Sequence, residues 1–391
     1  MASKFLSNYL PEFLAIGLTR SRPAMVTVNL TGRCNQRCIY CEIGHSPEQP
    51  EKDTLSVADL TWIIDQMVLN GIPKISLCGG EPFLFKGLIG LVDYAGSKNI
   101  RCSITTNGMT AHQLSLPELT ILKKHGCEIN ISIDSFVEDV QSFTRGNPSA
   151  LPNAIKSIQK LGDQHIPVTV LTVISKHNYR DLSQFVNTAW EKGIRQVLFQ
   201  PVIRYSNYPG RPAIDDKSAF NVSAGSLDVL MGELNKILRF ERKHKIKTNV
   251  YRILPWIGHY LSASGGRDGK WFFSGVLRKF YCREVDAIID IGYNGEIQPC
   301  GLSPASITIF DNRNRGLKAL WQQATEQIRD DLRHDRYYPF CNGCCHHFSR
   351  NMFASLMKYP VSNRAALFIV IPLLFSRVWW GTMKKLSVFD E

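Results

Sequence analysis

The sequence lacks the features of an exported or membrane-spanning chain. Its opening stretch has one early lysine, Lys4, and Asn8, Pro11 and Glu12 interrupt its apolar residues, so no secretory signal is expected there. The apolar run Ala365 to Phe375 stops at eleven residues, against the roughly 20 that a helix needs to cross a bilayer. There is no internal repeat, no low-complexity tract, and no block in which basic and aromatic residues alternate as in an RNA-binding surface. Acidic residues are also scarce, 34 against 46 basic ones, which gives a formal charge of +12 and a pI near 9.2. That balance suits anionic partners such as phosphorylated substrates, nucleic acid or a membrane face, without choosing among them.

Cysteine is what the sequence does have. Eleven cysteines in 391 residues is an odd number in a chain long enough for one large or two medium domains. A disulfide framework is therefore not expected. Reduced thiolates holding metal in the cytosol fit better.

From about residue 24 to 202, short β-branched runs alternate with helical periods. Strands are expected at Val26 to Leu30, Ile75 to Cys78, Cys102 to Thr105, Ile129 to Ile133, Val168 to Ile174 and Gln196 to Phe199. Ser56 reads as the N-cap of a helix with Leu60, Ile63, Ile64, Met67 and Val68 at helical spacing, stopped by Gly71. Further helices are expected over Leu88 to Ser97, Leu116 to Lys124, Ala154 to Gly162 and Leu182 to Lys192. Such alternation calls for a parallel sheet with right-handed crossovers. Six units predict an α/β fold, a partial (β/α)6 TIM-like barrel, with its chemistry at the C-terminal strand ends.

Residues 1–23 form an extension and 203–280 a linker with a helix from Ser226 to His244. Residues 281–348 hold five of the cysteines with little periodicity. They read as a small loop-rich domain needing a metal staple. In the last segment, 349–391, Trp379, Trp380, Lys384 and Lys385 are residue types of a headgroup boundary. The apolar run before them reads either as a membrane-surface segment, placing a cytoplasmic protein at the inner face of the membrane, or as a buried helix across the barrel.

Cys34, Cys38 and Cys41 follow the first strand closely. Three thiolates at this spacing can wrap one compact cluster from a single loop. A 4Fe–4S cube held by three ligands keeps one iron open for chemistry. Cys282, Cys300 and the pair Cys341 and Cys344 make a second group, in the segment read as needing a metal staple. Cys345 stands beside them as a replacement ligand. Cys78, Cys102 and Cys127 fall on or beside strands and read as buried, inert thiols, with Cys78 the exception to watch because it abuts Gly79 and Gly80. His45, His112 and His177 have no matching ligand partners.

The Cys34/Cys38/Cys41 triad, with Tyr40 before its last cysteine, resembles the signature of the radical SAM superfamily. Gly79-Gly80-Glu81-Pro82 is similar to that family's second-strand motif, and Thr105 to Gly108 and Ile131 to Ser135 resemble its third and fourth strand ends. The resemblance implies that a catalytic 4Fe–4S cluster on Cys34, Cys38 and Cys41 binds S-adenosylmethionine (SAM) and cleaves it reductively. The product, a 5′-deoxyadenosyl radical, would abstract hydrogen from an unidentified substrate. It also implies roles in binding SAM for Tyr40, Gly79, Gly80, Glu81, Asn107, Ser132 and Asp134, with Glu81 on the ammonium group. A reductant such as flavodoxin or ferredoxin is implied as well. The C-terminal cysteines resemble the Twitch form of a SPASM domain, which implies that Cys282, Cys300, Cys341 and Cys344 hold a second, auxiliary 4Fe–4S cluster for electron transfer or structure, a structural zinc on the same four thiolates being the alternative. A lipid-linked or membrane-associated substrate fits the tail, and nucleic acid does not fit well. The alternatives are a radical SAM enzyme acting on RNA or a peptide, and a non-catalytic zinc-stabilised binding protein.

Overall fold

The computed structural model describes residues 23–45, 54–203, 217–262, 284–303, 307–310 and 312–334, with the single positions 282, 336, 338, 341 and 344. The apolar tail, the extension as far as residue 22, most of the expected linker before residue 217 and Cys345 lie outside the described residues.

Six parallel strands carry the fold. They are β1 (Met25–Asn29), β2 (Lys74–Cys78), β3 (Arg101–Thr106), β4 (Glu128–Ser132), β5 (Val168–Ile174) and β6 (Gln196–Pro201), lying side by side in chain order. Period-two alternation divides their faces. Val26, Val28, Ile75, Leu77, Ile129 and Ile131 are fully buried in one continuous core. Asn29, Ser76, Cys78, Thr105, Asn130 and Ser132 alternate with them and are half-buried. The sheet thus has an apolar face for its helices and a polar one for chemistry.

The connecting helices follow the expected pattern. Helix α1 (Val57–Asn70) begins at Ser56, whose Oγ accepts from Asp59 N at 3.2 Å while the Asp59 carboxylate accepts from Ser56 N at 2.7 Å. Such a cap contributes about 1 kcal/mol. Gly71, at φ 64°, ends the helix in the left-handed conformation. Helices α2 (Leu88–Ser97) and α3 (Leu116–Lys124) have the expected limits, while α5 (Ala150–Asp163) starts earlier than expected and α6 (Leu182–Glu191) follows β5.

Between residues 24 and 202, one helix was not expected. Helix α4 (Glu138–Arg145) follows β4 and buries Gln141, Thr144 and Arg145 while exposing Phe143. Its pattern is inverted, polar residues in and an aromatic out, because it faces a polar site rather than the core.

The sheet also runs past six strands. After α7 (Leu227–Lys243), β7 (Lys247–Thr248) adds parallel to β6, and α8 (Val250–Ser262) follows. Beyond the short helix α9 (Glu284–Ala287), β8 (Ile288–Ile291) pairs parallel with β1, Met25 opposite Ile288. Strands β9 (Glu296–Gln298) and β10 (Ile307–Thr308) continue antiparallel, giving the order β10-β9-β8-β1-β2-β3-β4-β5-β6-β7.

The stretch expected to be loop-rich therefore extends the barrel sheet. Its periodicity was there to read: α10 (Leu317–Arg333) buries Leu317, Leu320, Trp321, Ala324, Ile328 and Leu332 at helical spacing. Trp321 Nε1 donates to Ile288 O at 3.1 Å, pinning the helix to β8. No helix among the described residues is long and apolar enough to cross a membrane.

Candidate active site

The cysteine loop leaves β1 at its C-terminal end and is clasped on three sides. The first clasp is the Gly79-Gly80-Glu81 turn after β2. Gly80 N donates to Thr31 O at 2.7 Å and Glu81 N to Arg33 O at 2.8 Å. A Cβ on Gly80 would stand 2.0 Å from Arg33 O, so glycine is needed here for backbone to meet backbone. The second clasp is Asn107, after β3, whose Nδ2 donates to Asn35 Oδ1 at 2.7 Å and lies 3.8 Å from Cys34 Sγ.

The end of α4 is the third clasp. Ile39 N donates to Thr144 O at 3.0 Å, and Asn147 Nδ2 to Asn35 O at 3.1 Å. Gly146, at φ 60°, packs so closely that a Cβ would lie 2.1 Å from Arg37 O. No local signal around Gly146 in the sequence marks this contact.

Glu81 is fully buried. Its Oε1 accepts from Thr106 Oγ1 at 2.6 Å and Phe83 N at 3.1 Å, and its Oε2 from Asn107 N at 2.8 Å. Burial pushes its carboxyl above the usual range, and these three donors partly offset the rise. The carboxylate therefore links the ends of β2 and β3, a bracing role that stands beside the expected contact with an ammonium group.

Asp134 sits at a second node, buried beyond β4. Its carboxylate accepts from Tyr40 Oη, from Arg145 Nη2 at 2.7 Å and from Val173 N at 2.9 Å. Arg145 also faces the Cys38 thiol. Gln141 Oε1 accepts from Asp134 N at 2.7 Å, and its Nε2 donates to Ser132 O at 3.4 Å. The structure thus brings together Tyr40, Ser132, Asp134 and Cys38, and adds Gln141 and Arg145 from the unexpected helix. With these partners, Asp134 is committed to the protein's own groups.

Burial raises the Cys34 thiol, and pushes Cys38 up to about 12. A metal would have to displace these protons. Among the described residues no three His, Cys, Asp or Glu side chains converge closely enough to grip a single metal ion. A four-iron cube spreads its ligands over separate corners, so the three thiols fit it without that convergence. Gln36 supports the fit. It is buried, its Oε1 accepts from Cys38 Sγ at 3.7 Å, and its Nε2 has no partner. A buried donor without an acceptor is costly, and the sulfide of a cluster would supply one.

The second group gathers beside α9, β9 and α10. Cys282, Cys300, Cys341 and Cys344 pack against a small core of Val285, Leu302, Ile328 and Leu332. Cys282 senses both Cys300 and Cys344, and Cys341 senses Cys300, so the four thiols share one neighbourhood. Burial raises Cys282, and takes Cys300 to about 11 and Cys341 to about 12.

The other expected residues are quieter. Cys102 and Cys127 are buried in the core, and burial raises both thiols. Cys78 Sγ donates to Asn29 Oδ1 at 3.4 Å. His45 Nε2 lies 3.2 Å from the backbone carbonyl of Cys38, and His112 pairs with Ser157.

A parallel α/β sheet with three clustered thiols at the end of its first strand, clasped by a Gly-Gly-Glu turn, defines an enzyme that works through an iron–sulfur cluster. Comparison with known proteins agrees. Residues 28–189 match the Radical SAM superfamily. GTP 3',8-cyclase of Alkaliphilus metalliredigens (strain QYMF) is 32% identical over 292 residues, 70% of this chain and 79% of that protein. The chain belongs to the radical SAM superfamily. It is a radical SAM enzyme, with a 4Fe–4S cluster and SAM as its cofactors.

AlbA, the antilisterial bacteriocin subtilosin biosynthesis protein of Bacillus subtilis (strain 168), is 23% identical over 338 residues, 82% of this chain and 67% of that protein. Among solved structures, Streptococcus suis SuiB bound to precursor peptide SuiA aligns with TM-score 0.57 and 17% identity, over 91% of this chain and 77% of SuiB. That likeness speaks for the fold. The chain spans only 56% of another relative, Fe-coproporphyrin III synthase of Methanosarcina barkeri (strain Fusaro / DSM 804), at 26% identity over 60% of its own length.

Proposed function

We propose that this radical SAM enzyme modifies a peptide, with Cys34, Cys38 and Cys41 holding the catalytic cluster and Cys282, Cys300, Cys341 and Cys344 an auxiliary one. The reach of the similarity to AlbA carries the reading. An alignment covering 82% of the chain must take in Cys282 and Cys300 as well as most of the barrel. The other expected substrates, RNA and a lipid-linked molecule, have no such support.

When bound, the cluster and SAM supply a 5′-deoxyadenosyl radical that removes hydrogen from an unactivated carbon. The chain's own residues prepare the place. Asn107 and Gly80 fix the cysteine loop, and Gln36 offers its free amide N–H to the cluster. Arg145, buried between Asp134 and Cys38, holds a positive charge beside the thiolates. Tyr40 and Gln141 fix Asp134, which keeps Arg145 in place. The basic charge of the chain favours an acidic substrate, and a protein such as flavodoxin or ferredoxin would deliver the electron.

The GTP 3',8-cyclase similarity supports a second reading, a nucleotide substrate. The test is 5′-deoxyadenosine formation by the anaerobically reconstituted, reduced chain. We expect turnover to rise with a set of small acidic precursor peptides and to stay at the basal rate with GTP. Stimulation by GTP alone would move the substrate to the nucleotide class.

A further inference from the structure

Beyond the two cysteine groups, one cavity is chemically distinctive. It measures about 540 Å³ and opens between the loop after β5 and the segment before α7, lined by Lys176, His177, Tyr179, Arg180, Asn221 and Ser223 among others. Lys176 N donates to Phe220 O at 2.9 Å, joining the two walls. Among the described residues, the lining includes two permanent cations and no carboxylate. Those cations alone would be a solvated basic surface.

Asn221 makes it more than that. The side chain is 7% exposed, yet neither its Nδ2 nor its Oδ1 has a hydrogen-bond partner. The buried Nε2 of His177 is likewise without a partner. Leaving such groups unpaired costs about 1–3 kcal/mol each, a cost that a ligand can offset. Burial and the neighbouring Lys176 hold the His177 ring below its ordinary pKa, so at neutral pH it is an uncharged imidazole able to donate or accept.

The cavity is also tied to the active site. Asn178, in the same loop, donates from Nδ2 to Asp134 O at 2.9 Å. The His177 ring packs edge-on against Phe143 of α4 at 4.9 Å. Parallel α/β enzymes place ligands at this end of the strands.

We propose that this cavity is an oxyanion subsite that anchors the substrate through a carboxylate or phosphate. Lys176 and Arg180 supply charge, and Asn221 adds to the wall an amide that has no partner within the protein. The acidic side chain of a peptide and the phosphate of a nucleotide present the same chemistry here, so the inference does not depend on which substrate reading holds.

Direct binding tests it without turnover. Isothermal titration of the full, reconstituted chain would use three probes at physiological salt: pyrophosphate, a hexaglutamate peptide and a hexaglutamine peptide. We expect one or both anionic probes to bind and the neutral peptide to stay silent, with the stronger of the two identifying the source. Asn221→Leu should weaken binding about fivefold or more. The charge-removing pair Lys176→Gln and Arg180→Gln, both on exposed side chains, should weaken it about tenfold. Lys156→Gln, on the exposed face of α5, should leave it unchanged. An affinity that follows total charge, falling as much in Lys156→Gln as in the loop variants, overturns the proposal, as does absence of binding by both anions. If Asn221→Leu does not fold, the loop pair against Lys156→Gln still decides.

Discussion

The Arg145 guanidinium stands 2.7 Å from Asp134 Oδ1 with both side chains almost wholly buried. Two ions taken out of water this completely are stable only as partners. The pair couples α4 to β4, and through Tyr40 and Cys38 it fixes the back of the cysteine loop.

Removing one partner should therefore be worse than removing both. Arg145→Met leaves a buried carboxylate without its cation and should cost about 3–5 kcal/mol in urea unfolding of the metal-free chain. Adding Asp134→Asn to that variant should restore part of the loss. Single variants that unfold at the wild-type midpoint would show that the pair is not coupled as its geometry demands.

Gly80→Ala should damage the cluster site more than the fold. The new methyl would meet Arg33 O at 2.0 Å, and relieving that overlap means moving the cysteine loop, at a cost of about 1–3 kcal/mol. We expect secondary structure by circular dichroism to be unchanged, iron content after reconstitution to fall, and SAM cleavage to drop at least about tenfold. Full iron loading with wild-type cleavage would contradict this account of the glycine.

Cys38→Ala separates the two thiol groups. It should abolish formation of 5′-deoxyadenosine while leaving the visible absorbance of an auxiliary cluster, because the two sets occupy different parts of the sheet. Simultaneous loss of both absorbances would mean that the sites assemble together.

His177 gives stability a pH dependence of known sign. Its folded pKa lies below the ordinary 6.5, through burial and then Lys176. The unfolded chain therefore binds a proton that the folded chain refuses. Stability is intact above about 6.5 and declines as pH falls through the range beneath it. Thermal melts at pH 7 and pH 5 should show a smaller acid loss for His177→Asn than for wild type, and equal losses would exclude the ring as the source.

Much of the barrel could be read from spacing. Ser56 and Gly71 bracket α1 because cap chemistry is local, and Val168 to Ile174 declared itself by its β-branched run. Helix α4 was missed because its buried face is Gln141, Thr144 and Arg145 and its Phe143 faces solvent. Any rule that looks for apolar periodicity is blind to an element that packs on a polar site. With α4 went Gln141 and Arg145, so Tyr40, Asn107, Ser132 and Asp134 could be named from sequence beside the thiols and the Gly-Gly-Glu turn, while the buried ion pair that holds Asp134 could not. Strands β8 to β10 escaped for another reason. At two to four residues each, with Asp290 and Glu296 among them, they are too short for alternation to show, and they are identified by their pairing with distant chain.

That pairing has a bearing on how the protein is made. Strand β1 leaves the ribosome well ahead of β8, and one of its two edges waits for Ile288 to Ile291. Until then the strand bearing the cysteine loop offers a row of unmatched amides and carbonyls to any passing chain. Nascent or truncated forms that stop short of β8 are thus expected to be the sticky species in the cell, and metal loading is best timed after β8 has been made.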